Sequence, residues 1–247
     1  MARPEEIYAA LAQTAPVELA EKWDNVGRLV DTGMEVTSIM VALDITDEVV
    51  REAEQAGCQL IVSHHPVIFS PLKTLSRKDV AFRLVEKNIS AICMHTNLDA
   101  AEGGVNDVLA GLFGLKNARP FADGCGRIGT VEEIAVPALA EKARKLLDAH
   151  VKFADAGKPV RTLAMVSGAG GSMFEEAVAL GADCLLTGEA NHHAALDANR
   201  LGMSLIAAGH FATEQPVVPV LTQKLQKKFP HLRVVCSRRC RDPFTYL

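Results

Sequence analysis

Short, uninterrupted apolar runs alternate with amphipathic stretches through most of this sequence. Thr37–Leu43 (TSIMVAL), Gln59–Ser63 (QLIVS) and Ile89–Met94 (ISAICM) read as buried strands, because a strand covered on both faces loses the period-two alternation. Between them, Asp47–Ala56 carries helical charge and alanine spacing, and Arg77–Lys87 is an amphipathic helix. Val105–Phe113 reads as another helix, ending at Gly114. Strands separated by helices predict an α/β fold with a mainly parallel sheet under helical cover, since parallel neighbours need a crossover.

Past Ala118 the texture loosens into Arg119-Pro120-Phe121-Ala122-Asp123-Gly124-Cys125-Gly126, a Pro- and Gly-bearing stretch read here as a domain boundary. The alternation then resumes. Strands are expected near 129–136, 161–166, 183–186, 203–207 and 232–235, and helices near 138–149, 174–180, 192–199 and 214–227. The expected division is a metal-binding α/β domain over 1–120 with 200–247, and a second α/β domain over 121–199.

Composition narrows the class without naming it. Of 247 residues, 49% are apolar and 23% charged, which excludes wholesale disorder, collagen-like repetition and coiled-coil composition. The 26 basic and 30 acidic residues give −4, too near balance for the global field to attract nucleic acid or a membrane surface. No apolar stretch approaches the roughly 20 residues of a membrane helix, and the Met-Ala-Arg-Pro-Glu-Glu start runs into charge, so a cytoplasmic location is expected. Six cysteines (Cys58, Cys93, Cys125, Cys184, Cys236 and Cys240) read as structural free thiols, since no second Cys or His pair completes a zinc-finger spacing.

Candidate chemistry sits just beyond the apolar runs. His64 and His65 follow Leu60–Ser63, Asp99 follows Ala91–Met94, and His210 follows Leu205–Gly209. Ligands of open α/β sheets bind beyond the carboxyl ends of the strands. Successive strand side chains point to opposite faces, so adjacent histidines can converge only where the backbone turns, and Pro66 is placed to force that turn. His210 and Glu214 are four apart and share a face if a helix starts at His210. Alone, each histidine could be a loop residue bonded to carbonyls. Together, His64, His65, Asp99, His210 and Glu214 form an N/O set for zinc, iron, manganese or nickel. Five ligands without cysteine suit two divalent metal ions with open positions rather than one closed structural zinc. A carboxylate such as Glu214 can bridge two ions about 3.5–4 Å apart, acidifying a shared water toward a pKa of about 7.

Four motifs carry a family resemblance: Trp23-Asp24-Asn25-Val26-Gly27, Ser63-His64-His65-Pro66-Val67-Ile68-Phe69, His95-Thr96-Asn97-Leu98-Asp99 and Gly209-His210-Phe211-Ala212-Thr213-Glu214. In this order, across nearly the whole chain, they resemble the NIF3 family. The resemblance implies a dinuclear centre held by His64, His65, Asp99, His210 and Glu214, with Glu214 bridging. It also implies two interlinked α/β layers per subunit and a toroidal homohexamer whose metal sites face an internal cavity. The inserted central domain of longer members has no room here. Family members are often labelled GTP cyclohydrolase 1 type 2 homologues, which implies hydrolytic opening of a guanine ring at C8.

Several residues carry secondary readings. His95 could partner Asp99 or shuttle protons, and His192 and His193 could supply an acid or base, with His193 favoured by the resemblance. Ser167–Ser172, including Gly168–Gly171, could hold a phosphate or could simply pack a strand closely against a helix. Trp23, the single tryptophan, reads as a core anchor or a site-lining residue, with Asp24 as a partner for a ligand. Lys224, Lys227, Lys228, Arg233, Arg238, Arg239 and Arg241 against Asp242 make a basic C-terminal segment, either a solvated face or a subunit or nucleic-acid contact. The resulting expectation is a dinuclear metal-dependent hydrolase acting on a small molecule such as a nucleotide, with His193 or His95 assisting proton transfer. The alternative is a non-enzymatic metal-binding, regulatory or scaffold ring.

Overall fold

A computed structural model describes residues 1–246 as two compact units, Met1–Glu102 with Val218–Arg241, and Gly103–Val217 with Asp242 onward. In chain order the first unit comprises α1 (Pro4–Thr14), β1 (Gly27–Val30), β2 (Ser38–Ala42), α2 (Asp47–Gln55), β3 (Leu60–Ser63), α3 (Val80–Glu86), β4 (Ser90–Cys93) and α4 (Thr96–Ala100). The second contains α5 (Val105–Phe113), β5 (Lys116–Phe121), β6 (Gly126–Ile134), α6 (Val136–Leu147), β7 (Lys152–Ala154) and β8 (Val160–Val166). It continues through α7 (Phe174–Ala179), β9 (Cys184–Thr187), α8 (His192–Arg200), β10 (Ser204–Ala207) and α9 (His210–Glu214). The chain then returns to the first unit through α10 (Val217–Lys228) and β11 (Arg233–Cys236).

In the first unit the sheet order is β1-β4-β3-β2-β11. The pairs β4·β3, β3·β2 and β2·β11 are parallel, and only β1·β4 is antiparallel. Every residue of β2, β3 and β4 is buried, which explains their unbroken apolar runs. Helix α2 shows how the cover is built. Thr46 caps it by accepting from the amide of Val49, Asp47 and Glu48 face the positive end of the helix dipole, and Val49, Val50 and Ala53 supply the buried face.

In the second unit the order is β5-β6-β8-β9-β10-β7. Only β8·β9 and β9·β10 are parallel, while β5·β6, β6·β8 and β10·β7 are antiparallel. The mainly parallel expectation therefore holds in the first sheet and at the centre of the second, whose outer strands return by antiparallel connections. One face packs α5 and α6 through Leu109, Phe113, Leu139 and Ala143 onto Leu163, Met165 and Leu186. The other packs Ala177, Ala194 and Ala198 onto Ala164, Leu185 and Leu205.

The unit division falls at 102/103, 217/218 and 241/242, whereas the sequence predicts 120/121 and 199/200. The Pro- and Gly-bearing stretch is strand β5 followed by a tight turn, and α5 belongs to the core of the second unit. The expected helix over 214–227 is two helices, α9 and α10. Pro216 lies between them, and its missing N–H and fixed ring interrupt the ladder there.

Candidate metal centre

In the first unit, three adjacent parallel strands deliver polar residues at their carboxyl ends. Asp44 lies two residues past β2, His64 and His65 directly follow β3, and His95 lies two past β4. A bend at His64–His65 breaks the strand alternation, and the amides of both residues still pair with Ala42 O and Leu43 O beside them. The rings of His64, His65 and His95 pack with centroids 4.9, 5.2 and 5.4 Å apart. Their candidate ligand atoms all lie within 4.8 Å of one another.

Each ring is oriented by an oxygen acceptor on Nδ1. His64 Nδ1 donates to Met94 O at 2.9 Å, His65 Nδ1 to Asp44 Oδ1 at 2.8 Å, and His95 Nδ1 to Asp24 Oδ1 at 2.8 Å. An acceptor on Nδ1 fixes the tautomer with the proton there and puts the lone pair of a neutral ring on Nε2, the arrangement that metal-binding histidines use. Asp99, on the short helix α4, sets Oδ1 3.6 Å from His64 Nε2. A carboxylate facing an imidazole lone pair is a repulsive pair of acceptors unless a proton or cation lies between them. The donor set therefore fits a divalent metal of the imidazole- and carboxylate-binding kind.

Asp24 fastens this cluster. Its side chain has no solvent exposure. It accepts from His95 Nδ1, from the amide of Asn25 at 2.7 Å, and from both the amide and the hydroxyl of Thr96. Burial alone would raise its pKa, but the hydrogen bonds from His95 and Thr96 outweigh it and hold the carboxyl well below the ordinary range. Cys93, beside the cluster, donates its thiol to His64 O at 3.0 Å. Burial, reinforced by the Asp24 and Asp99 charges, pushes its pKa far up, so without a metal it stays a thiol engaged with the His64 carbonyl.

The second unit repeats the design at the ends of β8, β9 and β10, followed respectively by Ser167-Gly168, Gly188-Glu189 and Ala208-Gly209-His210. Gly209 has φ +91°, a conformation that L side chains rarely adopt, and it turns the β10 exit into α9. On α9, His210 Nε2 lies 3.2 Å from Glu214 Oε1, and its Nδ1 lies 3.4 Å from Glu189 Oε2. The Glu214 bond raises the His210 pKa to about 9 against the opposing effect of burial, with the charges of Glu214 and Glu189 adding to the rise. An imidazole held between two carboxylates, one of them buried, is a cation site in waiting, filled by a proton when no metal is bound.

The glycine-rich loop belongs to this second set. Gly168 has φ +58°, and a Cβ there would strike Glu214 Oε1 and approach His210 Nε2 to 3.2 Å. At Gly170 it would strike Val166, and at Gly171 it would meet Glu189 O at 2.5 Å. Gly168 thus makes room for the His210–Glu214 pair, and Gly170 and Gly171 let the loop pack against Val166 and the Glu189 backbone. The carboxylate beside Gly168 is a poor neighbour for a phosphate.

Among the five expected ligands, His64, His65 and Asp99 are thus grouped in the first unit, and His210 and Glu214 in the second. His95, read from sequence as a supporting residue, shares the three-histidine group. Asp44 and Glu189 escaped the sequence reading, although both follow apolar runs just as the histidines do. His193 is exposed on α8, with its ring 5.7 Å from that of His192. Trp23 is 59% exposed, which excludes the core-anchor reading. The bases of the C-terminal segment are spread over α10, β11 and the turn after it, where Glu52 binds the amides of Arg238 and Arg239. No helix among the described residues is long and apolar enough to cross a membrane.

Comparison with known proteins agrees with the motifs. Residues 2–243 match the family described as Duf34/NIF3 (NGG1p interacting factor 3). The chain is 30% identical to a Clostridium perfringens protein named GTP cyclohydrolase 1 type 2 homolog, over 98% of each chain. It is 33% identical to a Helicobacter pylori protein named GTP cyclohydrolase 1 type 2, over 91% of this chain and 92% of that one. A Bacillus cereus protein related to NIF3 shares the fold, with a TM-score of 0.92 at 23% identity over 99% of each chain.

Proposed function

The chain belongs to the Duf34/NIF3 family, and from that footing we propose that it is a dinuclear, divalent-metal-dependent hydrolase of a nucleotide or related heterocycle. In this reading His64, His65, Asp99, His210 and Glu214 are the metal ligands. The observation that carries it is the shared orientation of His64, His65 and His95, each with Nδ1 bound to an oxygen acceptor, which turns the Nε2 of His64 and His65 to a metal and sets that of His95 beside them, all within 4.8 Å. The names of the Clostridium and Helicobacter relatives support the cyclohydrolase class.

When bound, a pair of divalent ions supplies electrophilic polarisation of the substrate and a water acidified toward a pKa of about 7. The protein's own groups supply the rest. Asp44, Met94 O and Asp24 fix the ring orientations, so little reorganisation accompanies binding. His95, backed by the buried Asp24 carboxylate, is oriented to take a proton on Nε2 and return it to a leaving group. His193 is the other candidate for that transfer. Subunits assembled as a toroidal homohexamer in the cytoplasm complete the proposal.

The test is turnover by metal-loaded protein. Ring-opened product from GTP, or hydrolysis within a panel of nucleotides, phosphoesters and amides, is expected to depend on metal and to disappear in His64→Ala. A fully loaded wild-type protein inert to the whole panel would overturn the enzyme reading and favour a metal-binding or scaffold ring.

A further inference from the structure

The chain's one tryptophan and Phe69 stand together on the surface of the first unit, 59% and 53% exposed, with ring centroids 5.9 Å apart. Exposing two large aromatic faces side by side forfeits a substantial hydrophobic gain, and such pairs mark places where something binds. Trp23 also meets the His95 ring edge-on, at 6.2 Å and 75°. The aromatic pair therefore borders the three-histidine group.

The backbone beneath the two rings is clamped. Asn25 Nδ2 donates to Ile68 O at 2.6 Å, tying the loop that carries Trp23 to the loop that carries Phe69. Asp24, between Trp23 and Asn25, is locked to His95 and Thr96, and the Thr96 hydroxyl accepts from the amide of Glu21. Rings that are free on their outer faces but fixed at their bases cost little entropy to use. Mutual shielding of two stray surface aromatics would not need a hydrogen-bonded scaffold on both sides.

We propose that Trp23 and Phe69 form the stacking platform for a planar heterocyclic substrate, a nucleobase-like ring, whose reacting bond is thereby set beside His95. The interplanar angle of 42° at 5.9 Å leaves no parallel slot between the rings, since an inserted ring needs two contacts of roughly 3.5 Å each. The substrate ring lies on the outer face of Trp23, with Phe69 flanking it. Stacking of this kind accepts any flat π-system, so the platform selects for a ring and leaves the choice among rings to polar contacts. This inference rests on the hydrolase reading for the fate of the substrate, but binding is observable without turnover.

A single tryptophan makes the test local. Fluorescence excited at the red edge of tryptophan absorption is followed while guanosine monophosphate, adenosine monophosphate or ribose 5-phosphate is added to metal-free and metal-loaded protein. Both nucleotides are expected to quench saturably and ribose 5-phosphate to leave emission unchanged. Phe69→Ala should weaken nucleotide binding about tenfold, and Asn25→Ala should weaken it by a similar factor through loss of the clamp. Trp23→Ala, assayed by equilibrium dialysis, should abolish the preference for nucleotide over ribose 5-phosphate. Quenching that ignores the ring would overturn the proposal. So would blue-shifted emission shielded from acrylamide before any ligand is added, because that places another copy of the chain over Trp23. Ring-dependent quenching without turnover would sink the hydrolase reading alone, whereas turnover without ring-dependent quenching would sink the platform alone.

Discussion

Gly168 and Glu214 share a space that only a hydrogen on the Gly168 Cα leaves open. A methyl group there would overlap Glu214 Oε1, and the residue sits at φ +58°. Gly168→Ala therefore combines a left-handed backbone cost of about 1–2 kcal/mol with displacement of the Glu214 carboxylate, a proposed metal ligand. The variant is expected to fold, to melt lower and to lose bound metal by elemental analysis. Gly168→Asn, which tolerates the left-handed conformation, should recover part of the stability and none of the metal. Full metal content in either variant would separate the loop from the site.

With His210 as a proposed ligand, metal binding is expected to depend on pH. Its pKa in the metal-free protein is raised to about 9, mainly by the Glu214 bond. The stability it contributes is fully present below the ordinary value of about 6.5 and is lost as pH rises through about 9. Metal must displace that proton, so apparent affinity should climb with pH until about 9, with proton release on binding at pH 7 to 8. Titration calorimetry in buffers of different ionisation enthalpy measures the release. Glu189→Gln, removing one flanking charge, should reduce it at pH 8.

Asp24 accepts four hydrogen bonds, and its carboxyl is held well below the ordinary carboxylate range. The associated stability is present above about pH 4 and is lost as pH falls from there toward the depressed value. Asp24→Asn must turn an NH2 group toward either Thr96 or His95. The predicted outcome is a flattened acid limb in the stability profile. Mis-set His95 should also lower kcat more than it changes KM, while metal content stays near that of wild type. An unchanged kcat at full loading would remove His95 from proton transfer.

Two aromatic residues should respond oppositely to truncation. Phe113 is 2% exposed in the second unit's core, so Phe113→Ala is expected to cost about 3–5 kcal/mol. Trp23→Ala should stay within about 0.5 kcal/mol, as surface substitutions do. Chemical denaturation of both variants decides the point.

What could be read from the sequence follows from burial. Strands β2, β3, β4, β9 and β10 are buried at every position and declare themselves as apolar runs. Strand β5 (KNARPF) is exposed at five of its six positions and contains a proline, so it resembles a linker and drew the expected domain boundary into itself. Strand β7 is three residues long, too short to show a period. Helix α1 buries only Pro4, Ile7 and Leu11, a thin stripe beside charged neighbours.

The candidate ligands stand out in the sequence because His64 and His65 directly follow a buried strand, while Asp99, His210 and Glu214 lie on the short helices that follow two others. Their supports do not, because the link is spatial: Asp24 reaches His95 across 71 positions, and Gly168 reaches Glu214 through a fold contact that no spacing encodes. The choice between the two readings of Trp23 was hidden for a related reason. An isolated aromatic among polar residues looks the same in sequence whether its ring faces the core or the solvent.

Elemental mass spectrometry on untagged protein, prepared without chelator and reconstituted with manganese, iron, zinc or nickel, counts the metal directly. Two divalent ions per wild-type chain are expected, with fewer in His64→Ala and in Glu214→Ala. No retained ion in the wild type under any of the four metals, or an undiminished count in both variants, would contradict the dinuclear centre.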